Sequence, residues 1–208
     1  MVFKTFDDEL NLILSGNKPE ISLFYGAAGT GKTTFCYLAV IENVNKGKVI
    51  FIDTEDGFSL ERFNQLVGNN FKETLDKILI FKINSFKDQQ LKIKKLLDII
   101  KKTNVSLIIV DTMGSYYRRM VKSKPDLANK MLNSQLRILK YISKKIPVVI
   151  TSQVYQDIEN NMISLVGKKI LDRYYKNLIK LEKKPSRILY CKDLKLEFEI
   201  NDEGINFI

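Results

Sequence analysis

The sequence contains no histidine and no tryptophan, and it has two cysteines and four prolines in 208 residues. Without histidine the commonest metal ligand and general base is missing. Two cysteines alone leave too few soft ligands for a tetrahedral zinc site, and serine–histidine or cysteine–histidine catalysis is excluded. Cys36 and Cys191 lie far apart inside apolar runs, where they read as reduced core residues and not as a disulfide pair. No apolar run approaches the roughly 18 residues of a membrane span. The opening MVFKTFDDEL is acidic, where a signal peptide is basic. The expectation is a cytoplasmic chain with no membrane partner. Pro/Gly/Ser-rich linkers, low-complexity tracts and internal repeats are also missing. One domain is therefore expected over 1–208, with a short lead-in over 1–20 and a β meander over 176–208.

What is abundant is positive charge. Lys and Arg number 34 against 24 Asp and Glu, a net charge of +10. A surplus of this size favours anionic partners such as nucleic acid. It is unevenly placed. Residues 115–145 hold nine cations (Arg118, Arg119, Lys122, Lys124, Lys130, Arg137, Lys140, Lys144 and Lys145) and one acid, Asp126. Residues 161–195 hold ten cations against three acids, whereas residues 1–60 hold eight acids and five lysines.

Apolar runs alternate with amphipathic stretches. Strands are expected at Ile21–Tyr25, Lys48–Asp53, Lys77–Ile83, Val105–Asp111 and Pro147–Gln153. Helices are expected over 1–14, Thr33–Lys46 (stopped at Gly47), Ser59–Gly68, Phe86–Lys102 and Leu127–Lys144. In the fourth of these, Leu91, Leu96, Leu97, Ile99 and Ile100 are taken to face inward. This βαβ rhythm predicts an α/β fold with a mostly parallel central sheet flanked by helices. Asn177–Lys183, Arg187–Cys191 and Lys195–Ile200 then read as antiparallel strands added at one edge.

The strongest chemical signal is Gly26, Ala27, Ala28, Gly29, Thr30, Gly31, Lys32 and Thr33, a full match to G-x-x-x-x-G-K-[ST]. The apolar ISLFY leads in and an amphipathic helix containing Thr34 leads out. Such a loop aims successive backbone N–H groups at a phosphate, and the helix N-terminus adds a favourable partial charge. Lys32 is assigned to the β- and γ-phosphates and Thr33 to Mg²⁺. ATP and Mg²⁺ are the expected cofactors. Asp111, at the carboxyl end of the unbroken apolar run LIIVD, is the second Mg²⁺ group. FIDTEDGF ends another strand in an acidic cluster from which one carboxylate orients the attacking water. On chemistry alone Glu55, Asp53 and Asp56 compete, and Asp56 or Ser59 also suits a helix cap. Gln153, ending VVITSQ, is placed to sense the γ-phosphate.

These four blocks, in this order and spacing, resemble the RecA/RadA recombinase superfamily over nearly the whole chain from about residue 20. The resemblance implies a RecA-like P-loop ATPase core. It selects Glu55 as the catalytic carboxylate, beside Lys32 and Gln153. It places a first DNA-binding loop after Asp111 and a second after Gln153. Candidate DNA contacts are Tyr117, Arg118, Arg119, Lys122, Lys124, Lys168 and Lys169, with Tyr116 and Tyr117 available for stacking on bases. Ser152 stands where the superfamily usually has Asn. Only about 20 residues precede the first strand, which resembles the short archaeal paralogues of RadA. They lack its helix-hairpin-helix domain and polymerisation linker. That resemblance implies an accessory role in homologous recombination and DNA repair, with slow ATP hydrolysis and no strand exchange of its own. The implied partners are single-stranded or branched DNA, a RadA-type recombinase, a Holliday-junction resolvase and a possible second copy, in a nucleoid-associated location. Two rival readings are a KaiC-like RecA-fold ATPase acting on a protein and a non-enzymatic ATP-switched binding module.

Overall fold

The computed structural model describes residues 7–157, 162–183 and 185–208. The helices are α1 (Asp8–Leu14), α2 (Lys32–Asn43), α3 (Leu60–Val67), α4 (Phe71–Leu75), α5 (Phe86–Lys102), α6 (Ser115–Val121), α7 (Pro125–Ile142) and α8 (Lys168–Leu171). The strands are β1 (Ile21–Gly26), β2 (Lys48–Asp53), β3 (Ile78–Lys82), β4 (Val105–Asp111), β5 (Val148–Asp157), β6 (Met162–Leu165), β7 (Asn177–Glu182), β8 (Arg187–Cys191), β9 (Leu194–Asn201) and β10 (Gly204–Phe207). The sheet runs β10-β9-β8-β7-β1-β5-β4-β2-β3, with β6 paired to β5. From β7 to β3 every neighbouring pair is parallel, and β8, β9 and β10 extend β7 in antiparallel fashion. This is the expected fold class.

The central strands are buried on both faces, and alternation sends successive residues to opposite sides. Val49, Phe51, Leu107 and Ile109 join the core under α1, α2 and α3. Ile50, Ile52, Ile108 and Val110 join the core under α5, α6 and α7. Each such side chain, withdrawn from water, stabilises the fold by about 1.5–3 kcal/mol before conformational entropy is subtracted.

Several local expectations are corrected. Leu91 is half exposed, and Ile93 takes the inward position on α5. The helix after β1 ends at Asn43 with Val44 as its cap. Gly47 is therefore no helix stop; a Cβ there would meet the Asn104 carbonyl at 2.8 Å. The helix expected from Leu127 begins at Pro125, whose missing N–H is harmless in the first turn. Residues 115–121, in the stretch after Asp111 where a first DNA-binding loop is expected, form α6. The strand expected to stop at Gln153 runs on to Asp157 and pairs with β6, and β10 closes the sheet edge. Parts of the second loop expected after Gln153, residues 158–161, lie outside the described residues.

Candidate nucleotide site and basic flank

The parallel strands all end at one edge of the sheet, and that edge holds the motif residues. Gly26, at the end of β1, lies between Gln153 on β5 and Leu181 on β7. A Cβ at Gly26 would sit 2.3 Å from the Leu181 carbonyl oxygen, so only glycine lets the loop turn here. Gly31 has φ of 102°, the left-handed region that opens α2. The first helical bond is Phe35 N–H to Gly31 O, 3.0 Å. The N–H groups of Lys32, Thr33 and Thr34 therefore have no helical acceptor behind them. The Lys32 ammonium donates to the carbonyls of Gly26 (2.9 Å) and Ala27 (2.7 Å). Burial lowers the Lys32 pKa from its ordinary value, against the pull of Asp111 and Glu55.

Asp111 is buried at the end of β4. Its Oδ2 accepts from the Thr33 hydroxyl at 2.7 Å, and its Oδ1 accepts from the Thr151 hydroxyl. Burial raises its pKa above the usual carboxylate value, while the Thr151 and Thr33 hydrogen bonds pull it down. A hydroxyl and a carboxylate this close are hard oxygen donors of the kind Mg²⁺ takes. The donor set fits the ion.

The acidic cluster after β2 separates into three roles. Asp53 is buried and accepts backbone N–H groups from Glu55 (3.1 Å), Gly57 (3.1 Å) and Phe58 (2.9 Å). It is consumed in shaping the turn. Asp56 is exposed and paired with Lys82 at 2.7 Å. Ser59, not Asp56, caps α3 by accepting from Arg62 N–H. Glu55 alone of the three faces the cavity, where its Oε1 accepts from the Thr112 hydroxyl at 3.2 Å. Gln153 Nε2 lies 3.0 Å from each Glu55 oxygen. Gly29, Gly31, Lys32, Thr33, Glu55, Asp111 and Gln153 surround one cavity of about 320 Å³.

A family model described as Rad51 matches residues 2–172. A protein of Methanocaldococcus jannaschii called DNA repair and recombination protein RadB is 35% identical over 213 residues, covering 96% of this chain and 99% of that protein. RadB proteins of the same description from Methanococcoides burtonii and Thermococcus sibiricus are 38% and 34% identical. They cover 78% and 98% of this chain, and 74% and 94% of their own lengths are matched. The chain belongs to the Rad51 family, among the archaeal RadB proteins.

For a Rad51-family chain the segments after Asp111 and Gln153 are the candidate nucleic-acid flank, and the fold brings them together. A Cβ at Gly167, just before α8, would lie 3.4 Å from Tyr117 Cε1 on α6. Arg118, Arg119, Lys122 and Lys124 are exposed on α6 and the turn after it, and Lys168 and Lys169 are exposed on α8. Lys168 is paired with Asp172 at 2.6 Å. Tyr117 is corrected out of this set. It is 7% exposed, its ring meets Phe86 edge-on, and its hydroxyl donates to Asn129 at 2.8 Å. Tyr116 likewise donates to the Ile83 carbonyl, with Arg119 over its ring. The Tyr117 ring is therefore packed in the core and not presented to a base.

Three contributors were not foreseen. Thr151 positions Asp111, Thr112 positions Glu55, and Ile200 brings the C-terminal meander to the cavity wall. Each depends on strand register. Val110 pairs with Ile150, which sets Asp111 beside Thr151. Sequence offers only the weak cue of a hydroxyl one residue beyond each apolar run. Among the described residues no helix is long and apolar enough to cross a membrane.

Proposed function

We propose that this chain is a DNA-binding ATPase of the recombinase-paralogue type, one catalytic domain acting as an accessory in homologous recombination and DNA repair. The observation that carries the reading is the convergence of Thr33–Asp111 and Glu55–Gln153 on the cavity at the end of the P-loop. Bound there, ATP with Mg²⁺ supplies the scissile phosphoryl group and neutralises its charge. Lys32 leaves the carbonyls of its own loop for the phosphates. Thr33 and Asp111 would hold the metal. Glu55 orients a water and accepts its proton, and Gln153 and Thr112 fix the direction in which that carboxylate points. Turnover is slow, and strand exchange is left to a RadA-type recombinase. That recombinase and a Holliday-junction resolvase are proposed partners, and self-association is a further proposed feature, on DNA in the nucleoid.

The exposed cations of α6, the following turn and α8 supply phosphate contacts without base readout. Arg118, Arg119, Lys122, Lys124 and Lys169 are the proposed contacts, with Lys168 once released from Asp172. Two features of this chain's family and charge favour this reading over a KaiC-like, protein-directed ATPase: the family match and the clustering of cations at the nucleotide edge. Fluorescence anisotropy with labelled single-stranded DNA across a salt series tests it. Affinity falling steeply and linearly in log salt is expected; no binding at low salt would overturn the DNA-binding part.

A further inference from the structure

The last residue pair of the β2–β4 ladder is Asp53 with Asp111, and both strands end there. One further backbone bond follows, from Thr54 N–H to the Asp111 carbonyl at 2.9 Å. Beyond it the Thr54 side chain takes over from the ladder. Its hydroxyl accepts from Thr112 N–H at 2.9 Å and donates to the Thr112 carbonyl at 2.7 Å. One oxygen thus satisfies both backbone groups of a single residue. Thr54 and Thr112 are each 3% exposed, so water does not compete for these bonds. Among side chains of this size only a hydroxyl donates and accepts at once. Thr112 in turn sends its own hydroxyl to Glu55 Oε1 at 3.2 Å. On the other side Met113 donates its N–H to the Thr151 carbonyl at 2.9 Å. Residues 111–113 are therefore pinned between β5 and the turn after β2.

We infer that Thr54 is the positioning residue that fixes the Glu55 carboxylate relative to the Asp111 carboxylate. The two carboxylates line one cavity and carry like charge, so no attraction of their own holds them in place. Asp111 is held at the end of β4 by the Thr33 and Thr151 hydroxyls. Glu55 stands on an exposed turn that Asp53 shapes from within. Thr54, between those two acids in sequence, ties the turn to the Asp111 segment through Thr112. Thr54 is absent from the wall of the nucleotide cavity. Its effect on chemistry therefore passes through Thr112 to Glu55, which Gln153 holds from the side of β5. This rests on the function proposed above and adds to it the tie that sets the attacking water against the metal. An ordinary buried threonine is different, because it would contribute to stability alone.

The test is phosphate release from ATP with Mg²⁺ by the full chain, with kcat and KM separated and the thermal unfolding midpoint read alongside. Thr54→Val keeps the shape and removes the hydroxyl. It is expected to lower kcat about tenfold with KM for ATP within about twofold, the pattern of an interaction that matters in the transition state. Thr54→Ser restores the hydroxyl and brings kcat back to within about threefold of the wild type. The same substitution is then read in a Glu55→Gln background by single-turnover release. There Thr54→Val slows the residual reaction by less than about twofold, because the group it positions is already gone. A purely structural role would carry no such dependence on Glu55. Should Thr54→Val not fold, Thr54→Cys, a weak donor and acceptor of similar size, is read in both backgrounds against the same outcomes. The inference is overturned if Thr54→Val leaves kcat unchanged, if its loss is the same with and without the Glu55 carboxylate, or if Thr54→Ser is as slow as Thr54→Val. Absence of Mg²⁺-dependent ATP hydrolysis in the wild type overturns the proposed function itself.

Discussion

The side-chain amide of Gln153 donates to Glu55, with Nε2 3.0 Å from both carboxylate oxygens, across 98 residues of sequence. The contact joins the loop after β2 to the middle of β5, two strands that are not neighbours because β4 lies between them. It is the point at which a residue assigned to catalysis and a residue assigned to sensing become one unit.

Loss of that amide should loosen Glu55 without removing it. Gln153→Ala is expected to leave nucleotide binding within about twofold and to lower kcat about tenfold, less than loss of a general base costs. Steady-state phosphate release, with kcat and KM separated, checks this. An unchanged kcat would show that Thr112 alone holds the carboxylate.

Thr151 tests the metal side. Thr151→Val keeps shape and removes the hydroxyl that donates to buried Asp111. A buried carboxylate short of one donor costs about 1–3 kcal/mol. Urea unfolding should show that loss, and the Mg²⁺ concentration needed for nucleotide binding should rise.

Gly26 tests the loop geometry. In Gly26→Ala the new methyl meets the Leu181 carbonyl oxygen, so β1 and β7 must part or the P-loop must shift. A destabilisation of about 1–3 kcal/mol is expected, with loss of nucleotide binding. Thermal unfolding and nucleotide titration read the two effects separately.

Glu9 tests a remote tie. It bonds Lys18 and Lys192, linking α1 to the β8–β9 turn, and those partners lower its pKa from 4.5 to about 2. A lowered carboxylate pKa stabilises the fold above the unfolded value and loses that effect as pH falls toward about 2. The stability gap between wild type and Glu9→Gln should therefore be widest above pH ~5 and close on acidification. The pair is exposed, so the gap is small and shrinks with salt. Chemical denaturation at several pH values measures it.

The elements most legible in the sequence are those whose neighbours are local. The P-loop, the LIIVD strand and α5 rest on contiguous pattern, and each lies within a few residues of its expected place. The meeting of Lys32, Thr33 and Asp111 at one cavity was legible, because contiguous motifs place all three at or just after strand ends on the same sheet edge. The site was not legible where register decides. Asp53 and Glu55 are two residues apart and equally acidic, and only folding turns one into a backbone clamp and the other into a cavity wall. Tyr117 was misjudged for the same reason. An aromatic among arginines suits stacking on a base, but the helical turn of α6 buries it against Phe86 and leaves the arginines outside. Leu91 shows the limit of helical phase: one apolar position on α5 falls outside the stripe that Phe86, Ile93 and Leu96 define.

The central claim is that Glu55 activates water in a cavity that holds ATP with Mg²⁺, and the most direct measurement compares wild type with Glu55→Gln. Equilibrium nucleotide binding and single-turnover phosphate release are read on both. The account predicts ATP affinities within about threefold of one another and phosphate release at least about 100-fold slower in Glu55→Gln. Equal release from the two proteins, or no Mg²⁺-dependent ATP binding by the wild type, would contradict it.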